Sequence, residues 1–224
     1  MSTQSSPAPA AARCRVVVLI SGSGTNLQAF LDDAASGACE YTVEAVISNK
    51  ADAYGLTRAR NAGVATEVLS HRDFSDREHF DQAMVKRIDS YQPDLVILAG
   101  FMRILTPDFV RHYSGHLLNI HPSLLPKYQG LHTHQRALDA GDSEHGATVH
   151  FVTEELDGGP PVLQAAVPIE AGDTAETLAQ RVQVQEHKMY PLVARWFAQG
   201  RLTMDGDRVL LDGELLPRSG KRLD

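Results

Sequence analysis

The segment Arg15-Val16-Val17-Val18-Leu19-Ile20 constrains the fold more than any other. After the arginine it is apolar at every position, mostly β-branched, and it stops abruptly at Ser21-Gly22-Ser23-Gly24. A strand with one face in water alternates polar and apolar residues. An unbroken run therefore needs cover on both faces, as in a parallel sheet between layers of helices. The following residues place Leu27, Phe30, Leu31, Ala34 and Ala35 at helical spacing, and Gly37 closes that segment. Strand, glycine-rich turn and helix make the opening unit of a doubly wound α/β fold.

The alternation continues down the chain. Residues 43–47 read as a strand, 53–62 as a helix ending at Gly63, and 66–69 as a strand. Ser75 and Glu78 have the spacing of a capping box ahead of Phe80, Met84 and Ile88 on one helical face. Leu95-Val96-Ile97-Leu98 is a further buried strand and leads into Gly100-Phe101-Met102-Arg103. Strands separated by helices of about ten residues imply right-handed crossovers. Beyond residue 115 the pattern changes. Leu117-Leu118-Asn119 begins a short strand, and a proline-rich loop follows over 122–130. Residues 148–152 and 162–167 read as an antiparallel pair flanking the sheet, joined by Leu156-Asp157-Gly158-Gly159-Pro160. Asp173 is placed to cap a long helix with an apolar stripe through Leu178, Val182, Met189, Leu192, Val193 and Trp196, kinked at Pro191. Asp205-Gly206 and Asp212-Gly213 suggest small hairpins. The expected architecture is α/β, a doubly wound, mostly parallel, Rossmann-like sheet with an antiparallel pair near its C-terminal part. One domain is expected over 14–224, after a disordered tail at 1–13.

Charge and cysteine usage narrow the function. Lys and Arg total 21 against 28 Asp and Glu, for a net charge of −7, and the cations form no stripe. That argues against nucleic acid, whose phosphate backbone is bound by clustered cations. Cys14 and Cys39 form no CxxC pair, so a reducing, cytoplasmic setting is expected. No run approaches the roughly 18 apolar residues of a membrane span. The Ser-, Pro- and Ala-rich start lacks the basic and apolar regions of a signal peptide.

Three features could carry chemistry. Gly22-Ser23-Gly24-Thr25-Asn26 points backbone N–H groups and a hydroxyl at a helix N-terminus, a ready anion site. It is no dinucleotide fingerprint, because Leu27 stands where a third glycine belongs and the second strand ends in Ser48-Asn49-Lys50 without an acid. A Walker A ending is missing too, and a tight turn without ligand is the alternative. Asn119 and His121 share one strand face if the strand persists, and Pro122 favours an extended His121. An amide donor beside an imidazole suits an acyl-transfer oxyanion, although an isolated Asn-x-His is more often a self-capping Asn and a surface His. Asp157 sits at a turn tip. Turn aspartates commonly serve only the turn, but folded against His121 this one would pair with an imidazolium.

Other chemistries find little support. Among ten histidines, His132 and His134 form the only tight pair, with His145 and His150 nearby, and no third ligand is specified for a catalytic zinc. A metal-independent protein is expected. With no GxSxG elbow and no base beside either cysteine, direct transfer between two bound substrates is favoured over a covalent intermediate.

Several ordered segments together resemble the phosphoribosylglycinamide formyltransferase family, the folate-dependent enzymes of purine synthesis. They are Ile20-Ser21-Gly22-Ser23-Gly24-Thr25-Asn26-Leu27-Gln28, Ile47-Ser48-Asn49-Lys50, Leu98-Ala99-Gly100-Phe101-Met102-Arg103-Ile104-Leu105, Leu118-Asn119-Ile120-His121-Pro122-Ser123-Leu124-Leu125-Pro126, His150-Phe151-Val152, Leu156-Asp157-Gly158-Gly159 and Gln183-Val184-Gln185-Glu186-His187. The resemblance covers the chain from about Arg15 onward. It implies transfer of the formyl group of 10-formyltetrahydrofolate, as co-substrate, to the amine of glycinamide ribonucleotide, with no metal. Gly24, Thr25 and Asn26 would hold the substrate phosphate, helped by Gln183 and Glu186 one helical turn apart. Arg77, Met102, Arg103, Ile104, Leu105 and Asn119 would line the folate pocket with Thr153, Glu154, Glu155, Leu156 and Asp157. Asn119, His121 and Asp157 would be the catalytic trio.

Both implied partners are small molecules, and the family leaves room for a homodimer. Two positions depart from the family pattern: Gln129 stands where a proline is expected, and Pro161 where an apolar residue is usual. Formyltetrahydrofolate hydrolases and methionyl-tRNA formyltransferases share the trio. The former are expected to carry an N-terminal regulatory domain and the latter an extra basic domain. A non-catalytic sensor of anionic metabolites is the alternative from outside the enzymes.

Overall fold

The computed structural model describes residues 13–223. The tail expected at 1–13 lies, apart from Arg13, outside the described residues. Eight strands form the main sheet: β1 (Cys14–Ile20), β2 (Tyr41–Ser48), β3 (Ala65–Val68), β4 (Leu95–Leu98), β5 (Leu117–His121), β6 (Glu144–Phe151), β7 (Pro161–Pro168) and β11 (Lys221–Arg222). Between the last two, β8 (Leu202–Asp205), β9 (Arg208–Leu211) and β10 (Glu214–Leu215) make a separate antiparallel sheet. The main order is β11-β7-β6-β5-β4-β1-β2-β3. Strands β3, β2, β1, β4 and β5 run parallel, β6 is antiparallel to both its neighbours, and β11 joins β7 in parallel. The expected α/β class and the antiparallel pair are both present.

Two cores explain the unbroken apolar strands. Val16, Val18 and Ile20 of β1 pack on the side of α1 (Thr25–Ala35), α2 (Tyr54–Asn61) and α6 (Ala175–Ala198). Val17 and Leu19 face the opposite side, against Phe80, Met84 and Ile88 of α3 (Arg77–Asp89) and Phe109 of α4 (Pro107–His112). Strands β5 and β6 depart from this rule in a way that creates the site. Leu118, Ile120, Ala147, Val149 and Phe151 face the α6 core. Asn119, His121, Thr148 and His150 alternate onto the other face, where among the described residues their polar contacts come from each other, from neighbouring strands and from the loops 122–132 and 152–160 rather than from a helix. Tyr190 of α6 is fully buried, its hydroxyl 2.9 and 3.0 Å from the Leu98 and Leu118 carbonyl oxygens, so it locks α6 onto the ends of β4 and β5.

Several local expectations need correction. The cap of α3 is Asp76, not Ser75: its carboxylate accepts from the His79 N–H, while the Ser75 hydroxyl donates to Asp76. Aspartate competes well for that position, and a one-residue shift is invisible to a spacing rule. Thr174, not Asp173, caps α6, and its capping box closes with Thr177. Asp173 instead accepts from the Glu170 N–H and pairs with Arg181, which holds its carboxyl far below the usual range. Pro191, by contrast, lies inside α6 as expected and is buried there. Helices α4 and α5 (Thr133–Asp139) and strand β11 were not anticipated.

The glycine-rich turn depends on a glycine pair. Gly24 adopts φ 71° at the N-cap of α1, and a Cβ there would lie 2.6 Å from Gly55 Cα. The first turn of α2 thus packs backbone to backbone against the turn, with the Gly55 N–H donating to the Gly22 carbonyl at 3.1 Å. Gly24→Ala combines a left-handed penalty of about 1–2 kcal/mol with a backbone clash. It should lower unfolding stability by at least about 2 kcal/mol in urea titration, and an unchanged midpoint would show that the two helices do not hold the turn.

Candidate active site

Asn119 and His121 do lie on one face of β5, and the loop after β6 brings Asp157 to them. His121 Nδ1 is 3.5 Å from Asp157 Oδ2, and both side chains are nearly buried. The other ring nitrogen, His121 Nε2, is 2.8 Å from the Tyr128 carbonyl oxygen. Both nitrogens therefore face acceptors, an arrangement that suits the doubly protonated ring, in which each is a donor. Asp157 adopts φ 51°, and its Oδ2 accepts from the Gly130 N–H at 2.9 Å. That bond ties the 152–160 loop to the 122–132 loop across the site. Gln129, at one of the departures from the family pattern, reaches the Asp157 carbonyl at 3.4 Å. Pro161, at the other, opens β7 opposite His150, at a strand start where the missing N–H is tolerated.

His150 meets Asn119 here, although from sequence it enters only as a possible metal ligand and within a segment of the family resemblance. It stands opposite Asn119 across the β5–β6 ladder and is fully buried. His150 Nδ1 donates to the Phe151 carbonyl at 2.9 Å, leaving Nε2 to accept from Asn119 Nδ2 at 3.2 Å. One Asn119 amide hydrogen is thereby fixed, and the second is free for an incoming oxygen. Burial pushes the His150 imidazole down to about 4, so it remains a neutral acceptor. Strand alternation could have found it, since Val149 and Phe151 point to the core and leave His150 on the Asn119 face.

The glycine-rich turn forms a second cluster with α6. Gln183 Nε2 donates to Thr25 Oγ1 at 3.0 Å, and Asn26 Nδ2 to Glu186 Oε2 at 2.9 Å. Four of the residues expected to hold a ribosyl phosphate are thus brought together from positions roughly 160 apart. Asn26 Oδ1 is buried without a partner, and burial raises the Glu186 carboxyl. Next to this turn the Ser21 hydroxyl donates to Asn49 Oδ1 at 2.5 Å and accepts from the Met102 N–H at 2.9 Å, fastening the ends of β1, β2 and β4 together.

The residues expected around folate are more dispersed. Met102, Ile104 and Leu156 expose 66%, 55% and 53% of their surface, an unusual apolar display on loops beside a site. Arg103 stacks over Phe80 at 4.8 Å, with its Nε buried and unpartnered. Arg77 opens α3 and is exposed. Glu154 pairs with Arg111 at 2.7 Å, holding the 152–160 loop to α4, whereas Thr153 and Glu155 make no side-chain hydrogen bond among the described residues. Asp81 was missed: it is buried, its carboxyl raised by burial, and it accepts from the Thr106 N–H at 2.6 Å, which anchors the segment carrying Met102 to Leu105.

His134 Nδ1 and His145 Nε2 lie 3.1 Å apart, but no group of three or more candidate metal ligands occurs among the described residues. No helix among them is long and apolar enough to cross a membrane. Burial, with His134 beside it, brings His145 down to about 4. Rings depressed from 6.5 to about 4, as His145 and His150 are, stabilise the fold fully above pH 6.5 and lose that contribution as pH falls toward 4. Each should contribute a slope of up to about 1.4 kcal/mol per pH unit in that window. Urea midpoints measured between pH 7 and 4 should fall accordingly, and less steeply for His145→Gln. A flat profile would contradict the neutral assignments.

Comparison with known proteins places this geometry in context. The family model described as formyl transferase matches residues 14–194. The phosphoribosylglycinamide formyltransferase of Escherichia coli (strain K12) is 59% identical over 209 residues, covering 93% of this chain and 99% of the relative. The trifunctional purine biosynthetic protein adenosine-3 of Bos taurus is 46% identical over 86% of this chain, which corresponds to 19% of that longer protein. Among solved structures, the phosphoribosylglycinamide formyltransferase of Coxiella burnetii superposes with a TM-score of 0.91 at 51% identity, over 95% of this chain and all of the other. Glycinamide ribonucleotide transformylase 1 of Symbiobacterium toebii gives 0.89 at 46% identity, over 94% and 99%.

Proposed function

The chain belongs to the formyl transferase family, and we propose that it moves the formyl group of 10-formyltetrahydrofolate to the amine of glycinamide ribonucleotide, a step in purine biosynthesis. The observation that carries this reading is the meeting of Asn119, His121 and Asp157 at one buried point, with the free Asn119 hydrogen oriented by His150. The single domain over 14–224 supplies both substrate clusters. Gly24, Thr25, Asn26, Gln183 and Glu186 hold the phosphoribosyl portion. The exposed apolar loops at Met102, Ile104 and Leu156, with Arg77 and Arg103, receive the folate.

In this mechanism the substrate amine attacks the formyl carbon and gives a tetrahedral intermediate. Asn119 Nδ2 donates to its oxyanion. The His121 imidazolium stabilises that charge and delivers a proton toward the leaving folate nitrogen from Nδ1, whose 3.5 Å separation from Asp157 is the looser of its two contacts, while Nε2 stays on the Tyr128 carbonyl at 2.8 Å. Asp157 pairs with the imidazolium and orders a water that accepts the proton lost by the attacking amine. The formyl carbon keeps its oxidation state, and no covalent enzyme intermediate or metal is needed.

A spectroscopic assay following loss of 10-formyltetrahydrofolate, with and without glycinamide ribonucleotide, tests the assignment. Turnover that requires the ribonucleotide is expected, whereas equal turnover without it would indicate a hydrolase. Removing an oxyanion donor costs about 10²–10³ in rate and a positioned acid–base group roughly 10²–10⁴. His121→Ala and Asp157→Asn should therefore lose at least about 100-fold in kcat with little change in KM. Near wild-type turnover in either variant would rule the mechanism out.

A further inference from the structure

We propose that Arg58 of α2 is the cation that makes this site select a phosphorylated ribosyl substrate over its unphosphorylated counterpart. The proposal rests on the ribonucleotide reading above and concerns a residue outside the set expected to bind the phosphate. The glycine-rich turn has no lysine of its own, and the helix N-terminus offers only about half a positive charge. A phosphate monoester carries close to two negative charges at neutral pH, and the protein itself is at −7. Selective capture needs a full cation held at the turn.

Arg58 meets that need. It lies one turn beyond Gly55, so the glycine contact delivers its side chain to the turn; its Cδ is 3.5 Å from where a Gly24 Cβ would stand. Arg58 Nε donates to the Ser23 carbonyl at 2.8 Å, and Nη1 to Gln28 Oε1 at 3.2 Å. Gln28 is itself fixed by donating to Asp32 at 2.8 Å, and the guanidinium stacks on Tyr54 at 5.0 Å. These contacts use two of the five guanidinium donors and orient the rest.

Among the described residues no carboxylate lies within ion-pair distance of Arg58, whereas Arg195 on the same groove is neutralised by Asp33. Arg58, Thr25 and Gln28 line one cavity of about 730 Å³ with His187, whose Nε2 is buried without a partner. Lys188 lines it as well, but on an exposed face of α6 and without contact to the turn. An oriented, unneutralised guanidinium beside a phosphate-holding turn is the arrangement that discriminates a charged oxygen cluster from a hydroxyl.

Steady-state kinetics with glycinamide ribonucleotide and with the matching glycinamide riboside provide the test. Arg58→Met should raise KM for the ribonucleotide about 10–100-fold, as expected for lost charge-assisted hydrogen bonds. Its kcat and its folate KM should change less than about threefold. Preference for ribonucleotide over riboside should collapse by the same factor, and Arg58→Lys should restore part of it.

Equal losses on both substrates would make Arg58 a mere prop for the turn, and an unchanged KM would remove it from the site. Both outcomes overturn the proposal. If the wild type turned over neither substrate, the transferase reading would fail on its own. Calorimetric binding of ribose 5-phosphate would then decide the role of Arg58, with binding retained in Arg58→Met overturning it and binding lost supporting it.

Discussion

With both faces of β1 sealed by helices, polar chemistry has few places to go. Val16, Val17, Val18, Leu19 and Ile20 are each without solvent exposure, and the chain can present hydrogen-bonding groups only where that strand ends or where loops reach the sheet. Both exits are used. The glycine-rich turn leaves the end of β1 and meets α6 through Thr25 and Asn26. One face of β5 and β6 carries Asn119, His121 and His150 beneath two loops.

The sequence foretold the first exit better than the second. An apolar run, a glycine-rich turn and a helical stripe are local patterns, and α1 and its turn formed where the spacing placed them. The site over β5 and β6 depends on contacts between distant segments: His121 with Asp157, and Asn119 with His150. No local rule reports such pairs, and the trio was assembled by family resemblance. Helix α5 is preceded at its N-cap by His132 in a left-handed conformation with no side-chain cap, so the usual start signal is missing. Helix α4, by contrast, did carry a readable signal in Thr106 followed by Pro107 at the first helical position, but at six residues it is too short for periodicity to register.

The misplaced caps carry a related lesson. Ser75 and Asp76 are both good capping residues, as are Asp173 and Thr174, and the choice between them is made by what else needs each side chain. Asp173 is drawn away by Arg181 and by the Glu170 N–H, which leaves Thr174 to cap α6. Gln183 and Glu186 sit on that helix and reach the glycine-rich turn through Thr25 and Asn26.

Strand β11 shows how the far side of the sheet is finished. Lys221 and Arg222 pair with Leu163 and Gln164 of β7, the Leu223 N–H donates to the Gln164 carbonyl at 2.8 Å, and Arg222 reaches Glu144 at 3.1 Å. Without them β7 would present free backbone donors and acceptors beside its buried residues, an open template for another polypeptide. Lys221 and Arg222 therefore act as a cover against self-association along that stretch of β7, and a chain trimmed before Lys221 would become sticky along one border.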